Sequence, residues 1–341
     1  MKNSITIDTS SKIPKFQQIV HAIITAVDRG LFHQGDQIPS MNDLQNILTV
    51  SRETVFKAYK ELRHRGVISS HPGKGYYVSM AKSSIERNIF LLFDDFTLYK
   101  EVIYRSFLHQ MGDKTMVDMY FHHYNKHIFQ SLIREATHKY TDFVLVPLDD
   151  QENMAYVNKI LENQNVYILD LGIKLFGKNY PSVCQDFEND VFNSLYFEKN
   201  NLLKYNKIIF AWGRTDNIYR NQIRQQVMKG LKQLSQKTNL PLRVVPYIQK
   251  KTVEQSACYI LPSDFDLVAI VEEAQKRNLE IGSDIGVISF NETPLKRIIA
   301  NGITTLSTDF ELMGKNIANL ITSRKKMRIA NPAKLIKRNS F

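Results

Sequence analysis

The stretch from residue 14 to residue 78 constrains the fold of this chain most, because it places helix, turn and hairpin signals in a fixed order. Its first part repeats apolar side chains at intervals of three and four, the period of a helix that buries one face. These positions are Phe16, Ile19, Val20, Ile23 and Val27. Arg29-Gly30 would end that helix. The stretch therefore begins with an amphipathic helix on a core.

Two more helices follow, separated by a tight turn. Ser40 and Asp43 have the spacing of a reciprocal N-cap pair, which predicts the start of a second helix. Its inward side chains are expected to be Leu44, Ile47 and Leu48. After the turn at Thr49-Val50, Ser51 can cap a third helix by accepting a hydrogen bond from a backbone amide. The buried seam of this third helix is expected to be Val55, Ala58, Tyr59 and Leu62.

The opposite face of the third helix is basic, and a hairpin follows it. The face carries Thr54 near its amino end and the cations Arg52, Lys57, Lys60 and Arg63. After Gly66, two short β segments would pair across Pro72-Gly73-Lys74-Gly75. The two glycines let the backbone approach a nucleic-acid groove, with Lys74 between them. This order of elements predicts a winged helix-turn-helix domain that presents its third helix to DNA.

Four segments of the stretch read PKFQQIVHAIITAVDRG, GDQIPSMNDL, VSRETVFKAYKELRHRGVI and GKGYYV. Together they resemble the amino-terminal domain of GntR-type bacterial repressors over about 65 residues without a gap. The resemblance implies DNA contacts from the start of the third helix and from the wing, at Ser51, Arg52, Thr54, Lys57, Gly73 and Gly75. We add Ser40 and Lys74 to the predicted DNA-binding residues. Many relatives carry an arginine where this chain has Asn42.

A winged helix can also serve protein contacts or dimerisation, in which case Arg52 and Lys57 would be ordinary solvated charges. The charge balance favours DNA. Residues 1–82 hold eleven Lys and Arg against six Asp and Glu, a net charge of +5. A polyanionic backbone attracts such a domain and makes its binding depend strongly on salt.

The length and composition of the chain leave room for a second, larger unit. With 341 residues, 43% of them hydrophobic, the chain can fill the core of a small domain and of a two-lobed unit of about 250 residues. We expect a winged helix-turn-helix domain at 1–79, a linker at 80–87 and a two-lobed effector-binding and dimerisation domain at 88–341. Two cysteines, Cys184 and Cys258, and the lack of a bilayer-length apolar run indicate a cytoplasmic protein with buried thiols and no membrane partner.

The larger unit alternates β and α patterns. An apolar run at residues 88–93 ends in Asp94-Asp95, as is typical of a buried parallel strand. Strand and helix segments then alternate as far as Leu171, and a second run begins near Lys207. We expect a strand at Gly286–Phe290 to complete the second run. The chain is thus predicted to be α/β overall, with two lobes of parallel sheet in succession and a ligand-binding cleft between them.

The carboxyl-terminal tail is strongly basic. From residue 324 onward it has no acidic residue and seven basic ones, namely Arg324, Lys325, Lys326, Arg328, Lys334, Lys337 and Arg338. Runs of charge are usually solvated, so we expect the tail to be solvated or partly strand-like rather than to bind DNA.

A second resemblance covers about 250 residues and is most specific near the end of the chain. The segment YILPSDFDLVAIVEEAQKRNLEIGSDIGVISFNETPLKRIIANGITTLSTDFELMGKNIANLI, and the run VLVPLDD, resemble the effector domain of LacI-type repressors and periplasmic sugar-binding proteins. The pairing with a GntR-type domain is similar to the arabinose-repressor branch of GntR proteins. It implies a sugar effector, with a pentose or deoxyhexose such as L-arabinose or L-fucose as the leading candidate.

In the resembling fold, effector contacts come from residues at strand ends. The aligned positions are Asp94, Asp95, Phe96, Asp149, Asp186, Asp264, Asn291 and Thr308. Carboxylates and amides suit a polyhydroxylated ligand because each can bond two neighbouring hydroxyls, although each carboxylate could instead cap a helix. Trp212 could cover the apolar face of a sugar or pack in the core. Arg220 and Arg224 are candidates for an arginine contact from the next helix.

These patterns predict a sequence-specific DNA-binding regulator, a homodimer on a roughly palindromic operator that represses carbohydrate genes until a monosaccharide releases it. Alternatives are a regulator that responds to a non-sugar metabolite, an effector-free architectural DNA binder, and an enzyme fused to a DNA-binding domain. The chain has no Walker-type loop, G-x-S-x-G elbow or G-x-G-x-x-G motif. His122, His123 and His127 lack a nearby cysteine or matched carboxylate. No catalysis, cofactor or metal site is predicted.

Overall fold

A computed structural model describes residues 5–11, 13–79, 87–137, 139–148, 151–172, 180–213, 218–249 and 253–341. Most of the predicted linker, residues 80–86, lies outside these ranges. The described residues form a winged helix-turn-helix domain and two six-stranded sheets with helices between their strands. No helix in the described part of the chain is both long and apolar enough to cross a bilayer.

The winged-helix domain has the predicted order of elements. They are α1 (Lys15–Asp28), α2 (Met41–Leu48), α3 (Arg52–His64), β1 (Ile68–His71) and β2 (Gly75–Val78). The two strands pair antiparallel, with Ile68 opposite Val78 and His71 opposite Gly75. The predicted seam of α3 is confirmed, since Val55, Ala58, Tyr59 and Leu62 are all buried in the core.

One predicted core residue of this domain is misplaced. Ile47 is 36% exposed, whereas Leu44 and Leu48 of the same helix are buried. Residues four apart lie above one another on a helix, so α2, with only eight residues, buries the single row that contains Leu44 and Leu48. The prediction that Ile47 faces inward is wrong for that reason.

The first sheet follows the winged-helix domain. Its elements are β3 (Arg87–Phe93), α4 (Leu98–Met111), β4 (Thr115–Phe121), α5 (Lys126–Ala136), β5 (Asp142–Leu145), α6 (Gln151–Ile160), β6 (Asn165–Gly172) and β7 (Ser182–Gln185). The predicted alternation of strand and helix is confirmed as far as β6. Strand β7 was not predicted, because its four residues, Ser-Val-Cys-Gln, are too few to show an apolar pattern.

The second sheet uses most of the remaining chain. The helices and strands after β7 are α7 (Phe187–Phe197), α8 (Lys199–Leu202), β8 (Lys207–Ala211), α9 (Ile218–Thr238), β9 (Leu242–Val245), β10 (Ala257–Leu261), α10 (Asp264–Lys276), β11 (Gly286–Phe290), β12 (Thr304–Thr308), α11 (Phe310–Ser323), β13 (Arg328–Ala330) and β14 (Ala333–Ile336). All of these strands except β13 belong to the second sheet.

Both cysteines are buried and free, and burial raises the pKa of the Cys184 thiol to about 12. Neither thiol therefore has thiolate character near neutral pH.

The strand orders show that the chain passes between the two sheets more than once. The first sheet has the order β13-β7-β6-β5-β3-β4, and the second has the order β14-β12-β11-β10-β8-β9. The expectation that Gly286–Phe290 completes the second lobe is wrong, because β12 and β14 extend that sheet. The basic tail is strand-like, as expected, but β13 pairs parallel with β7 and β14 pairs antiparallel with β12. The tail is therefore part of both sheets.

Hydrogen bonds hold the crossing segments together. The backbone amide of Asn331, between β13 and β14, donates to the carbonyl of Cys184 at 2.7 Å. Its side-chain amide donates to the carbonyl of Asp309, between β12 and α11, at 2.8 Å. Asn331 is buried, so these bonds are shielded from water. The three crossings are thus linked to one another.

A close helix contact supports the return of the chain after β12. Helix α11 packs on α4, where a Cβ atom added at Gly314 would lie 2.5 Å from the carbonyl oxygen of Ile103. The hydroxyl of Ser106 donates to the carbonyl of Glu311 at 2.7 Å across the same contact. Only glycine allows this approach of the two backbones.

The winged-helix domain forms one compact unit with β4, α5 and their surroundings, which comprises the described residues within 1–91, 112–143 and 155–165. Within this unit the carboxylate of Asp118 on β4 is buried. It pairs with Nε2 of His21 on α1, and its Oδ2 accepts a hydrogen bond from the hydroxyl of Tyr140 at 3.0 Å. Arg65 lies 3.7 Å from its other oxygen. The amide of Asn88 lies 3.2 Å from Nδ1 of His21, which leaves a proton on Nε2 facing Asp118.

Further contacts join the winged-helix domain to β4 and α5. The hydroxyl of Tyr120 donates to the side chain of Gln17 on α1 at 3.1 Å. The hydroxyl of Ser11 donates to Glu135 on α5 at 2.9 Å. Met116 of β4 is buried in the hydrophobic core of the winged-helix domain.

The pKa of Asp118 reflects its partners. Burial acts to raise this pKa, but hydrogen bonding to His21 and the charge of Arg65 outweigh the effect of burial, so the pKa lies below its ordinary value.

We expect Asp118→Asn to loosen the contact between α1 of the winged-helix domain and β4. The amide keeps the size of the carboxylate but loses its charge, which leaves Arg65 and His21 with weaker partners at a cost of about 1 to 3 kcal/mol. Amide hydrogen exchange should become faster in α1 and β4, and the thermal midpoint should fall. Asp113→Asn, at an exposed position of the same unit, is the control and should change neither. Equal exchange in both variants would contradict a central role for Asp118.

Candidate nucleic-acid interface and ligand site

The first turn of α3 is fixed by Ser51 and Thr54. The backbone amide of Thr54 donates to the hydroxyl of Ser51 at 3.2 Å, and the two hydroxyls are 2.8 Å apart. Ser51 therefore caps the helix, as predicted from its position. The amino end of a helix favours anions, so this turn is suited to contact a phosphate. Arg52 follows directly and is exposed.

An acidic side chain that the sequence did not single out accompanies the predicted DNA contacts. Glu53 lies 2.8 Å from Nζ of Lys57, one helical turn later, and both side chains are mostly exposed. The hydrogen bond from Lys57 and its charge lower the pKa of Glu53. A surface cavity of about 310 Å³ adjoins the pair, lined by Pro14, Lys15, Phe16, Ser51 and Thr54 besides the pair itself. The charge of Lys57 is thus shared with a carboxylate.

The wing holds Lys74 at its tip. Gly73 and Gly75 have φ values of 73° and 109°, which L-residues rarely adopt. The side-chain amide of Gln37 donates to the carbonyl of Lys74 at 2.9 Å, and the hydroxyl of Tyr77 donates to the same oxygen at 3.1 Å. These bonds fix the backbone of the tip, while the Lys74 side chain is exposed.

Ser40 is engaged in capping α2. Its hydroxyl donates to Oδ2 of Asp43 at 2.7 Å and accepts a hydrogen bond from the amide of Asp43 at 3.2 Å. The predicted capping box is therefore confirmed. A DNA contact from Ser40 stays a prediction.

The end of β3 carries a buried ion pair. Asp94 pairs with Lys100, and both side chains are almost fully buried. Nζ of Lys100 lies 5.5 Å from the ring centre of Tyr99 and 5.8 Å from that of Phe93. A buried ammonium needs such a carboxylate and benefits from aromatic faces. Of the two partners, only Asp94 was predicted from the sequence.

A line of hydrogen bonds continues from Tyr99 to the second sheet. The hydroxyl of Tyr99 donates to Oδ2 of Asp170 at 3.1 Å, and the side-chain amide of Gln185 donates to Oδ1 at 2.7 Å. The hydroxyl of Thr308, at the end of β12, donates to the side-chain oxygen of Gln185 at 2.6 Å. The ring of Tyr99 also stacks on Phe310 at 4.5 Å. We call the set Tyr99, Asp170, Gln185 and Thr308 the polar line.

Asp170 is held in an unusual backbone conformation. Its φ is 72°, and the pairing of β6 with β7 shifts register between Asp170 and Gly172. A bulge of this kind redirects a side chain, and strained residues of this kind cluster at functional sites. The sequence offered one signal, a single carboxylate inside the predicted strand from Val166 to Leu171.

A second polar group lies at strand ends of the second sheet. Nζ of Lys296 is buried and donates to the carbonyls of Phe290 and Asn291 at 2.6 and 3.1 Å. It also lies 2.8 Å from Oδ1 of Asp264. Two predicted residues, Asp264 and Asn291, are thus joined by a lysine that the sequence did not indicate. After β8, the predicted contact Arg224 lies against Gly213, where an added Cβ atom would be 2.9 Å from its Nη2.

The other residues predicted to contact the effector lie in different surroundings. Phe96 is 65% exposed, and Asp95 bonds the amide of Phe96 at 2.9 Å. Asp186 caps α7, with the side-chain amide of Asn189 donating to it at 2.7 Å. Trp212 is half-buried and packs edge-to-face on Phe210 at 6.0 Å. Asp149 lies outside the described residues, and the side chain of Arg220 is not described.

The histidines after β4 have aromatic partners. His122 is buried and lies edge-to-face with Phe129 at 5.2 Å. Within the described ranges, no three His, Cys, Asp or Glu side chains are grouped so that they could hold a metal ion.

Two parts of the chain match known families. Residues 15–78 match the model of bacterial regulatory proteins of the gntR family, and residues 203–341 match that of the periplasmic binding protein-like domain. The HTH-type transcriptional repressor YtrA of Bacillus subtilis (strain 168) is 37% identical over 75 residues. These residues are 22% of this chain and 58% of YtrA, so the match spans little more than half of that relative.

Solved structures resemble the larger part of the chain. The lac repressor dimer bound to operator and the anti-inducer ONPF has a TM-score of 0.60 and 14% identity, with coverage of 74% of this chain and 93% of that one. A periplasmic binding protein/LacI transcriptional regulator from Alkaliphilus metalliredigens QYMF, complexed with D-xylulofuranose, has a TM-score of 0.55 and 14% identity, with coverage of 74% and 98%. At such identity the likeness shows the fold alone. The chain therefore joins a DNA-binding GntR-type helix-turn-helix domain to a periplasmic-binding-protein-like domain with the fold of LacI-family regulators.

Proposed function

We propose that this protein is a transcriptional repressor whose hold on operator DNA is released by a small polyhydroxylated effector, a monosaccharide. The polar line carries the proposal, because it joins a carboxylate, an amide and a hydroxyl near the ends of β6, β7 and β12 to Tyr99 of α4, whose ring stacks on Phe310. Strand ends of parallel sheets are the usual ligand sites of α/β proteins.

The chemistry of the polar line suits sugar hydroxyls. The carboxylate of Asp170 accepts hydrogen bonds from Tyr99 and Gln185, and a carboxylate can accept about four. Vicinal hydroxyls of a sugar can therefore donate to its remaining lone pairs and to the hydroxyl oxygens of Tyr99 and Thr308, whose own protons are used within the polar line. The stacked rings of Tyr99 and Phe310 offer an apolar face for the C–H side of a pyranose or furanose. A pentose or deoxyhexose such as L-arabinose or L-fucose is the leading candidate.

Gln185 and Thr308 give the effector a route to regulation. They belong to different sheets and lie beside the crossing segments. A ligand that exchanges hydrogen bonds with them stabilises one arrangement of the crossings over another. The coupling is reciprocal. If a sugar lowers the affinity of the protein for operator by some factor, operator lowers the affinity of the protein for the sugar by the same factor.

The effector is identified by thermal unfolding of the purified protein against pentoses, hexoses, deoxysugars and their phosphates. A ligand of the native state raises stability by RT ln(1 + [L]/Kd), about 2.7 kcal/mol at a hundredfold excess over Kd. We expect one class of sugar to raise the midpoint and to lower operator affinity. Asp170→Asn should abolish that shift, and the exposed control Asp113→Asn should keep it. If no sugar raises the midpoint, the effector is not a monosaccharide.

The exposed face of α3 should bind operator DNA, and Arg52 tests this. Arg52→Ala should cost about 1 to 3 kcal/mol of operator affinity and relax base preference at one position of the site. Arg29→Ala removes the same charge at the end of α1 and is the control. Affinity for operator and for unrelated DNA is measured at fixed salt by fluorescence anisotropy. An equal loss on both DNAs would assign Arg52 to a phosphate instead of a base.

We also propose that the protein acts as a homodimer. Support comes from exposed apolar side chains on α10 and around the 3₁₀ turn at Pro294–Arg297, two elements joined by the Lys296–Asp264 ion pair. In this set, which we call the apolar patch, Phe265 is 80% exposed and Val268, Leu295 and Ile298 are also exposed. Patches of large apolar side chains mark interfaces, and a twofold dimer matches two half-sites. The lac repressor structure with the same fold is a dimer on its operator.

Replacement of this patch should separate the protomers. We expect the double variant Phe265→Ser, Ile298→Ser to sediment as a monomer and to lose most operator affinity. Each protomer would then bind its half-site alone, without the high effective concentration that linkage to a second protomer gives. Phe197→Ser changes an 86% exposed phenylalanine of α7 and should remain dimeric. Analytical ultracentrifugation distinguishes the two states. A double variant that stays dimeric would place the interface elsewhere.

A further inference from the structure

An exposed aromatic ring lies in the middle of α3. Phe56 is 53% exposed, whereas its neighbours Val55 and Tyr59 are buried in the domain core. Within α3, all of whose residues are described, Phe56 is the large apolar side chain that faces outward. Exposure of a phenyl ring to water is unfavourable, so a partner that covers it gains free energy.

The side chains around Phe56 indicate the kind of partner. Arg52 precedes it by four residues and Lys60 follows it by four, so the three lie in one row along the helix, and Arg63 extends the row. All three cations are exposed. A row with cations at both ends and an apolar centre is complementary to a major groove, where phosphates flank the base edges.

A protein partner fits this surface less well. On the exposed face of the helix the neighbours of the ring are charged, with Arg52 and Lys60 in its row and the Glu53–Lys57 ion pair beside that row. Protein interfaces need apolar patches of several hundred Å², and one ring with charged neighbours does not form such a patch. A single methyl group on a base edge is the apolar feature of matching size.

We propose that Phe56 contacts the C5-methyl group of a thymine and so selects an A·T pair at one position of each operator half-site. The proposal rests on the proposed function, in which α3 binds operator DNA. In the major groove thymine presents a methyl group, whereas the other base edges present hydrogen-bond donors and acceptors. A phenyl ring makes no hydrogen bond to those groups, so it favours thymine over the other three bases.

The test begins with selection of binding sites from random duplex DNA by the wild-type protein, Phe56→Ala and Phe56→Leu. We expect a thymine in the wild-type consensus that is replaced by any base with Phe56→Ala and retained with Phe56→Leu, whose side chain is still apolar. That thymine is then replaced by deoxyuridine, which removes only the methyl group. The wild-type protein should lose about fourfold in affinity, the effect of one buried methyl, and Phe56→Ala should bind both DNAs equally.

Phe197→Ala is the matched control, since it removes an exposed phenylalanine far along the chain and should keep the fourfold difference. A wild-type difference that persists undiminished in Phe56→Ala would overturn the proposal, as would a consensus in which no thymine methyl affects binding. In both cases the proposed function stands, because a consensus was selected. If the wild-type protein selects no sequence at all, the proposed function itself fails.

Discussion

Hydrogen bonds among the segments that cross between the two sheets constrain most of the carboxyl-terminal structure. Asn331 bonds to Cys184 and to Asp309, and Gln185 bonds to Thr308, so each crossing is tied to another by a buried polar group. Buried hydrogen bonds in low dielectric are costly to break singly. Breaking one of these bonds would therefore leave a buried polar group of another crossing without its partner.

The proposed ligand site and the crossings share atoms. Gln185 ends β7 immediately before the first crossing, and Thr308 ends β12 before the second. A ligand that takes over one bond of the polar line changes the hydrogen bonding of a crossing in the same step. Under the proposed function, a signal from the effector to the crossings would therefore need no separate path.

Much of the fold was predictable because its elements carry strong local signals. The capping box at Ser40 and Asp43, the seam of α3 and the apolar run of β3 are each set by neighbouring residues. Strand β7 and the return of the tail into both sheets depend on pairing with strands far along the chain, which short segments such as Arg328–Ala330 do not reveal.

The candidate sites divide in the same way. The helix cap of Ser51 and the hairpin glycines Gly73 and Gly75 follow from local sequence, and the structure has them as predicted. Lys100, Gln185 and Lys296 were not, because their roles arise from tertiary contacts with Asp94, Asp170 and the end of β11. Long cationic side chains look alike in sequence whether they face solvent or a buried carboxylate.

The Glu53–Lys57 pair gives the proposed DNA-binding surface of α3 a built-in counter-ion. A phosphate that approaches Lys57 meets the carboxylate as well, so part of the attraction common to all DNA is cancelled at the start of α3. Every DNA sequence carries these phosphates, so the cancellation weakens binding to all sequences by a similar amount and leaves base contacts to discriminate between them. A helix-turn-helix domain with this pair would leave every DNA sequence more quickly, while the ratio of its affinities for a preferred site and for random DNA would stay the same.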